Sequence, residues 1–88
     1  MGDLEKSLAE YIKEKGLIDS QSTVKSVIVS HTNFVNNEAQ NTYITVSYLY
    51  PYELKYERFI FININLNDFK IYMRKQKIKR ITSVHFAS

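Results

Sequence analysis

The stretch Phe59-Ile60-Phe61-Ile62-Asn63-Ile64 constrains this chain more than any other, because it is apolar on two sides at once. Successive side chains of a strand point to opposite faces, so Ile60, Ile62 and Ile64 share one face while Phe59 and Phe61 share the other. Such a strand lies inside a sheet or presents its second face to a partner. A chain of 88 residues, 44% of them hydrophobic, builds only a modest core. Dimerisation is a common way for so short a chain to cover the apolar surface that remains.

The neighbouring segments indicate how this strand is reached. Asp3 is placed to cap a helix whose Leu4, Leu8, Tyr11 and Ile12 form one apolar stripe, and Gly16 followed by Leu17 suits a Schellman ending. Ile18 to Thr23 reads as a loop. Val27 and Val29, alternating with Ser26 and Ser30, indicate a half-buried strand continuing to Val35, with Asn36-Asn37 as a two-residue turn. That turn pairs Val35 with Glu38, His31 with Thr42, Val29 with Ile44 and Val27 with Val46. The competing arrangement is a shorter hairpin with His31 to Thr42 as a loop.

A second strand, Tyr43 to Tyr50, places Ile44, Val46, Tyr48 and Tyr50 toward the core. Pro51 then breaks the run, and Tyr56 to Ile64 returns antiparallel. An odd connection, such as Pro51 to Lys55, sets the three isoleucines beside Ile44 and Val46, whereas an even one sets the phenylalanines there. Isoleucines inside are favoured, since fewer large apolar groups then face outward. Asn65 offers the next helix cap, supported by Asp68, with Leu66, Phe69, Tyr72 and Met73 turned inward. Ile71 and Ile78 lie off that stripe. Ending the helix near Gln76 or Lys77 lets a final short strand begin at Ile78, alternating through Arg80, Thr82, Val84 and Phe86. The expectation is an α+β fold in one domain, residues 1–88: an N-terminal helix, a three-stranded antiparallel meander, a second, basic helix and a short C-terminal strand, with both helices on one face of the sheet.

Much chemistry is disfavoured by composition. The chain has no cysteine, which removes disulfides, thiolate metal sites and cysteine nucleophiles, and its two glycines leave no phosphate-cradling loop. His31 and His85 stand in no metal-ligand spacing, and no arrangement pairs a nucleophile with a base. Glu53 and Glu57 flank a turn, where they balance Lys55 and Arg58. A non-enzymatic binding protein without cofactor or metal follows. The N-terminus is an acidic amphipathic segment and no run suits a membrane span, so a cytoplasmic location is expected. Richness in Lys, Ile, Asn, Tyr and Phe suits AT-rich coding DNA, as in a low-GC bacterium, phage or mobile element.

The net charge of +3 is unevenly spread, with residues 1–44 at −2 and residues 45–88 at +5. Lys70, Arg74, Lys75, Lys77, Lys79 and Arg80 fall within eleven residues that contain no acid. On a helix Lys70, Arg74 and Lys77 share a side, spaced to follow the phosphates of DNA or RNA, and Tyr48, Tyr50, Tyr52 and Tyr56 could supply stacking faces nearby. The plainer account is a solvated helix face whose cations complement the dipole. The alternative function is a protein-interaction module, an inhibitor or adaptor, or a homodimer, built on the sheet's second face through Tyr43, Leu49, Phe59 and Phe61. In element order, Asp3 to Lys79 resembles the double-stranded-RNA-binding domain. That family's glycine-containing segment and its lysine cluster at the start of the second helix have no counterpart here, where Asn65-Leu66-Asn67-Asp68-Phe69 stands, so no binding residue carries over.

Overall fold

Helix α1 (Asp3–Glu14) leads into strands β1 (Thr23–Val35), β2 (Glu38–Leu49) and β3 (Glu57–Asn65), and helix α2 (Leu66–Ala87) closes the chain. The computed structural model describes residues 2–53 and 55–87, with side-chain surroundings through residue 78. The strands form one antiparallel sheet in the order β1-β2-β3. Both helices pack on the same face, where Leu8, Tyr11 and Ile12 of α1 and Phe69 of α2 meet Val27, Ile44, Val46, Ile62 and Ile64. No helix among the described residues is long and apolar enough to cross a membrane.

The ends of α1 differ in how they are made. Gly2, not Asp3, is the N-cap, and no side chain caps it; Asp3 sits within the first turn beside Glu5, where negative charge favours the helix dipole. The C-terminal end follows the expected pattern. Gly16 takes a φ of +74°, the Leu17 amide donates to the Ile12 carbonyl, and the Gly16 amide donates to that of Lys13. These are the two hydrogen bonds of a Schellman motif, and a left-handed residue is what makes them possible. Leu17 is exposed, and Ile18, in the connecting loop, is the residue that enters the core.

Asn36 and Asn37 adopt φ of 51° and 64°, the two left-handed positions of a type I′ turn. The long hairpin is formed, with Val35 opposite Glu38, Val29 opposite Ile44 and Val27 opposite Val46. His31, however, pairs with Tyr43 and not with Thr42. Two irregularities, between Asn33 and Phe34 and between Val29 and His31, shift the register and then shift it back. The second is stabilised by side chains: the Ser30 hydroxyl donates to the Tyr43 carbonyl at 3.0 Å, and the Thr42 hydroxyl donates to the His31 carbonyl at 2.9 Å. Beyond it Phe34 and Val35 are exposed at the hairpin tip. The Cα radius of gyration, 14.8 Å, exceeds the roughly 12 Å of a compact chain of this length.

β2 and β3 pair without irregularity from Leu49–Glu57 to Asn41–Asn65. The isoleucines consequently face the helices, with Ile62 and Ile64 buried and Ile60 half-buried, while Phe59 and Phe61 face away. Asn65 ends β3 and caps α2 at once, its Oδ1 accepting from the Asp68 amide at 3.0 Å. Phe69 is buried and Tyr72 half-buried as expected, whereas Met73 lies at the exposed margin and Ile71 and Ile78 face solvent.

The expected C-terminal strand is replaced by helix, since α2 continues through residues 78–87. After Asn65 the chain has neither glycine nor proline to stop it. Extending a nucleated helix by one residue is far easier than starting a strand that needs an edge to pair with.

Candidate interaction surfaces

Helix α2 carries the basic cluster on the side turned from the sheet. Lys70, Arg74, Lys75 and Lys77 are all exposed; Lys79 and Arg80 continue the same helix, but their side chains lie outside the described residues. Each of the four also shares a surface depression with an acid contributed from elsewhere. Lys70 borders one with Glu38, Arg74 and Lys77 border one with Glu10, and Lys75 borders one with Glu14 and Asp68. The charge run is free of acids along the chain and mixed with them in space. A phosphate backbone approaching α2 therefore meets a partly compensated field.

The join between the helices is built around Asp68. The Tyr11 hydroxyl donates to Asp68 Oδ2, and Lys15 Nζ lies 3.1 Å from the same oxygen. Tyr11 also meets the rings of Phe69 and Tyr72 edge-on, with centroids 5.3 and 5.4 Å away. The Tyr11 bond first, and Lys15 second, hold the Asp68 carboxyl below its usual range. Burial, reinforced by the Asp68 carboxylate, pushes the Tyr11 phenol from 10.0 up to about 12.

Stability should accordingly fall on two sides. Toward acid, it is lost as pH falls below the ordinary carboxylate value of 3.8 toward the lowered one of Asp68. Toward base, it is lost between pH 10.0 and about 12, where the unfolded chain releases a Tyr11 proton that the native chain keeps. Urea titrations from pH 3 to 11 on wild type and Tyr11→Phe check this. The variant should lose the alkaline decline attributable to Tyr11 and show a smaller acid one.

The tyrosines of the β2–β3 connection do not border the basic cluster. Tyr48 and Tyr50 line a depression with Lys13 and the Gly16–Ser20 segment at the end of α1. The Arg58 guanidinium lies 4.9 Å from the Tyr50 ring centre and pairs with Glu53 at 3.1 Å. Tyr52, at a φ of 68°, and Tyr56 project from the connection itself.

Among the described residues no helix covers the sheet's second face. Strand pairing sets its rows: Thr23–Leu49–Glu57, Ser26–Ser47–Phe59, Ile28–Thr45–Phe61 and His31–Tyr43–Asn63. Tyr43, Leu49, Phe59 and Phe61 do share this face, but not as one cluster. Tyr43 and Leu49 stand about 20 Å apart along β2, whereas Phe59 and Phe61 are alternate neighbours on β3, 62% and 81% exposed. Leu49 is half-buried, and Tyr43 stacks on His31. Ile28, across from Phe61, completes the exposed apolar set. Its place between Ser26 and Ser30 in the alternation was the signal that could have marked it.

The centre of this face is small and polar. The Ser26 and Ser47 hydroxyls share a hydrogen bond of 2.8 Å, and Asn41 Nδ2 donates to Asn63 Oδ1 at 2.7 Å. Among these rows the one charged side chain is Glu57. The basic helix lies on the opposite side of the sheet, so a single strand of nucleic acid lying flat on one surface cannot use both. Comparison of the chain with models of protein families, with characterised proteins and with solved structures returned no match.

Proposed function

We propose that this chain is a non-enzymatic protein-interaction module, an inhibitor or adaptor, whose contact surface is the Phe59–Phe61 side of the uncovered sheet face. The observation that carries this is the exposure of two phenylalanine rings, 62% and 81%, on the face of a regular strand that no helix among the described residues covers. Scattered exposed apolar residues are ordinary, but adjacent aromatic rings on a sparsely charged face with a polar surround are the composition of an interface core.

The second reading, nucleic-acid binding through α2, is supported by the exposure of Lys70, Arg74 and Lys77 on one helix side. The neighbouring acids weaken it.

One set of variants weighs both. Wild type, Phe61→Arg and the triple variant Lys70→Glu, Arg74→Glu, Lys77→Glu are immobilised, and proteins retained stoichiometrically and displaced by free wild-type chain are compared. Retention lost only in Phe61→Arg supports the sheet face. Retention indifferent to Phe61→Arg removes that reading. An electrophoretic shift with random DNA and RNA, salt-sensitive and lost in the triple variant, would favour the second.

A further inference from the structure

We propose that a second copy of this chain pairs antiparallel with the free edge of β3, so that Phe59 of each copy stands opposite Phe61 of the other. This rests on the interaction reading above and names the partner.

The sheet has two edges, and they are not alike. The pairing of β1 with β2 shifts register at three places, two of them with the extra residue on β1 itself, at Lys25 and Ser30, and irregular strands make poor templates for another chain. β3 is regular over all nine of its residues, and its segment from Phe59 to Ile64 contains no charge and no proline. It is a flat apolar edge without the features that discourage pairing. Its backbone groups on the outer side meet no strand among the described residues.

The apolar residues also follow this edge and not the middle of the face. Thr45 and Ser47 occupy the central strand where Phe61 and Phe59 occupy β3. Packing two sheets face to face would press these polar centres together. Pairing at the edge instead gathers the four phenyl rings of two copies across the new boundary, on a continuous six-stranded sheet.

Register decides the remainder. In an antiparallel two-fold pairing centred on Ile60, Phe59 meets Phe61 of the other copy and Ile60 meets Ile60, so aromatic faces aromatic and the half-buried isoleucine gains cover. In this register Arg58 falls opposite Ile62 and Glu57 opposite Asn63, so no like charges oppose one another across the seam. A pairing centred on Arg58 would set Arg58 against itself. The basic helices sit on the other face of the sheet from the four phenyl rings, over β2 and β3. Two phenylalanines per copy, each burying at most roughly 150–250 Å², plus a strip of backbone make an interface at the small end of the range, so association in the micromolar range is expected.

The wild-type chain has no cysteine, which gives trapping experiments a clean background. Sedimentation from about 1 to 300 μM should show a monomer–dimer equilibrium, weakened about tenfold or more by Phe61→Arg, as expected for an anchor residue. Under mild oxidation, mixing chains bearing Phe59→Cys with chains bearing Phe61→Cys should yield mixed disulfide dimers. Either chain alone should yield few, since like cysteines then sit diagonally, beyond disulfide reach.

A chain that stays monomeric at 300 μM overturns the proposal. If a different protein is then still retained in a Phe61-dependent manner, the interaction reading stands without it, and if nothing is, both fall. A dimer indifferent to Phe61→Arg overturns it as well. So does a dimer trapped by Tyr43→Cys against itself and not by the β3 cysteines, which would mean face-to-face packing and leave the interaction reading intact.

Discussion

Ile44→Ala is expected to cost about 3 kcal/mol, enough to bring this chain close to the edge of folding. Ile44 sits on the central strand at 1% exposure, between Val29 and Ile62, in the core cluster that both helices enter. Removing three carbons there loses their transfer energy and leaves a cavity that flanking strands cannot collapse to fill. A chain of this length has only about 4–13 kcal/mol of total stability, and each kcal/mol moves the midpoint by about 4–8 °C. The melting temperature should therefore fall by about 12–24 °C, read by circular dichroism. Ile28→Ala, one row away on the uncovered face at 59% exposure, is the matched control and should change stability by no more than about 0.5 kcal/mol. Equal losses at the two positions would mean that the second face is covered after all.

The contrast between these isoleucines shows what sequence alone can and cannot convey. Gly16, Asn36-Asn37 and Asn65 each announced a local event, because a left-handed turn or a capping oxygen is a property of one or two residues. The paired irregularities around His31 were not visible in this way. They depend on where the Ser30 and Thr42 hydroxyls find carbonyls on the facing strand, and that is settled only when the strands meet. The C-terminal strand failed for a related reason. Ile78, Arg80, Thr82, Val84 and Phe86 alternate as a strand would, yet a strand needs a partner edge while a helix already growing needs none.

The basic segment differs between chain and space at a third level. Its freedom from acids holds along the chain, but α1 lays Glu10 and Glu14 into the depressions that Arg74, Lys75 and Lys77 border. No local pattern encodes which helix face a distant helix will approach. Both helices on one face, by contrast, could be inferred, since one apolar stripe on each and one apolar row per strand admit few other arrangements.

Ile62→Ala and Phe61→Ala should separate by about 2–3 kcal/mol although the residues are adjacent, and this difference reads the register directly. Ile62 is 7% exposed and touches the helix-covered core; truncating it should cost about 2–4 kcal/mol. Phe61, at 81% exposure, should cost the monomer about 0.5 kcal/mol or less, provided that unfolding is followed at low micromolar concentration so that association does not contribute. In ordinary cores the order is reversed, phenylalanine being the costlier loss. The inversion arises in the seven-residue connection between Leu49 and Glu57, whose odd length puts the isoleucines under the helices. Had it one residue fewer or more at the same pairing, the phenylalanines would occupy the core and three isoleucines would face outward. Seven residues also cost little more closure entropy than six, so the choice rests on what each register buries. β-branched isoleucines fit the narrow space between Ile44, Val46 and Phe69. The rings they displace remain on the outer face at the sheet edge, where only another chain can cover them.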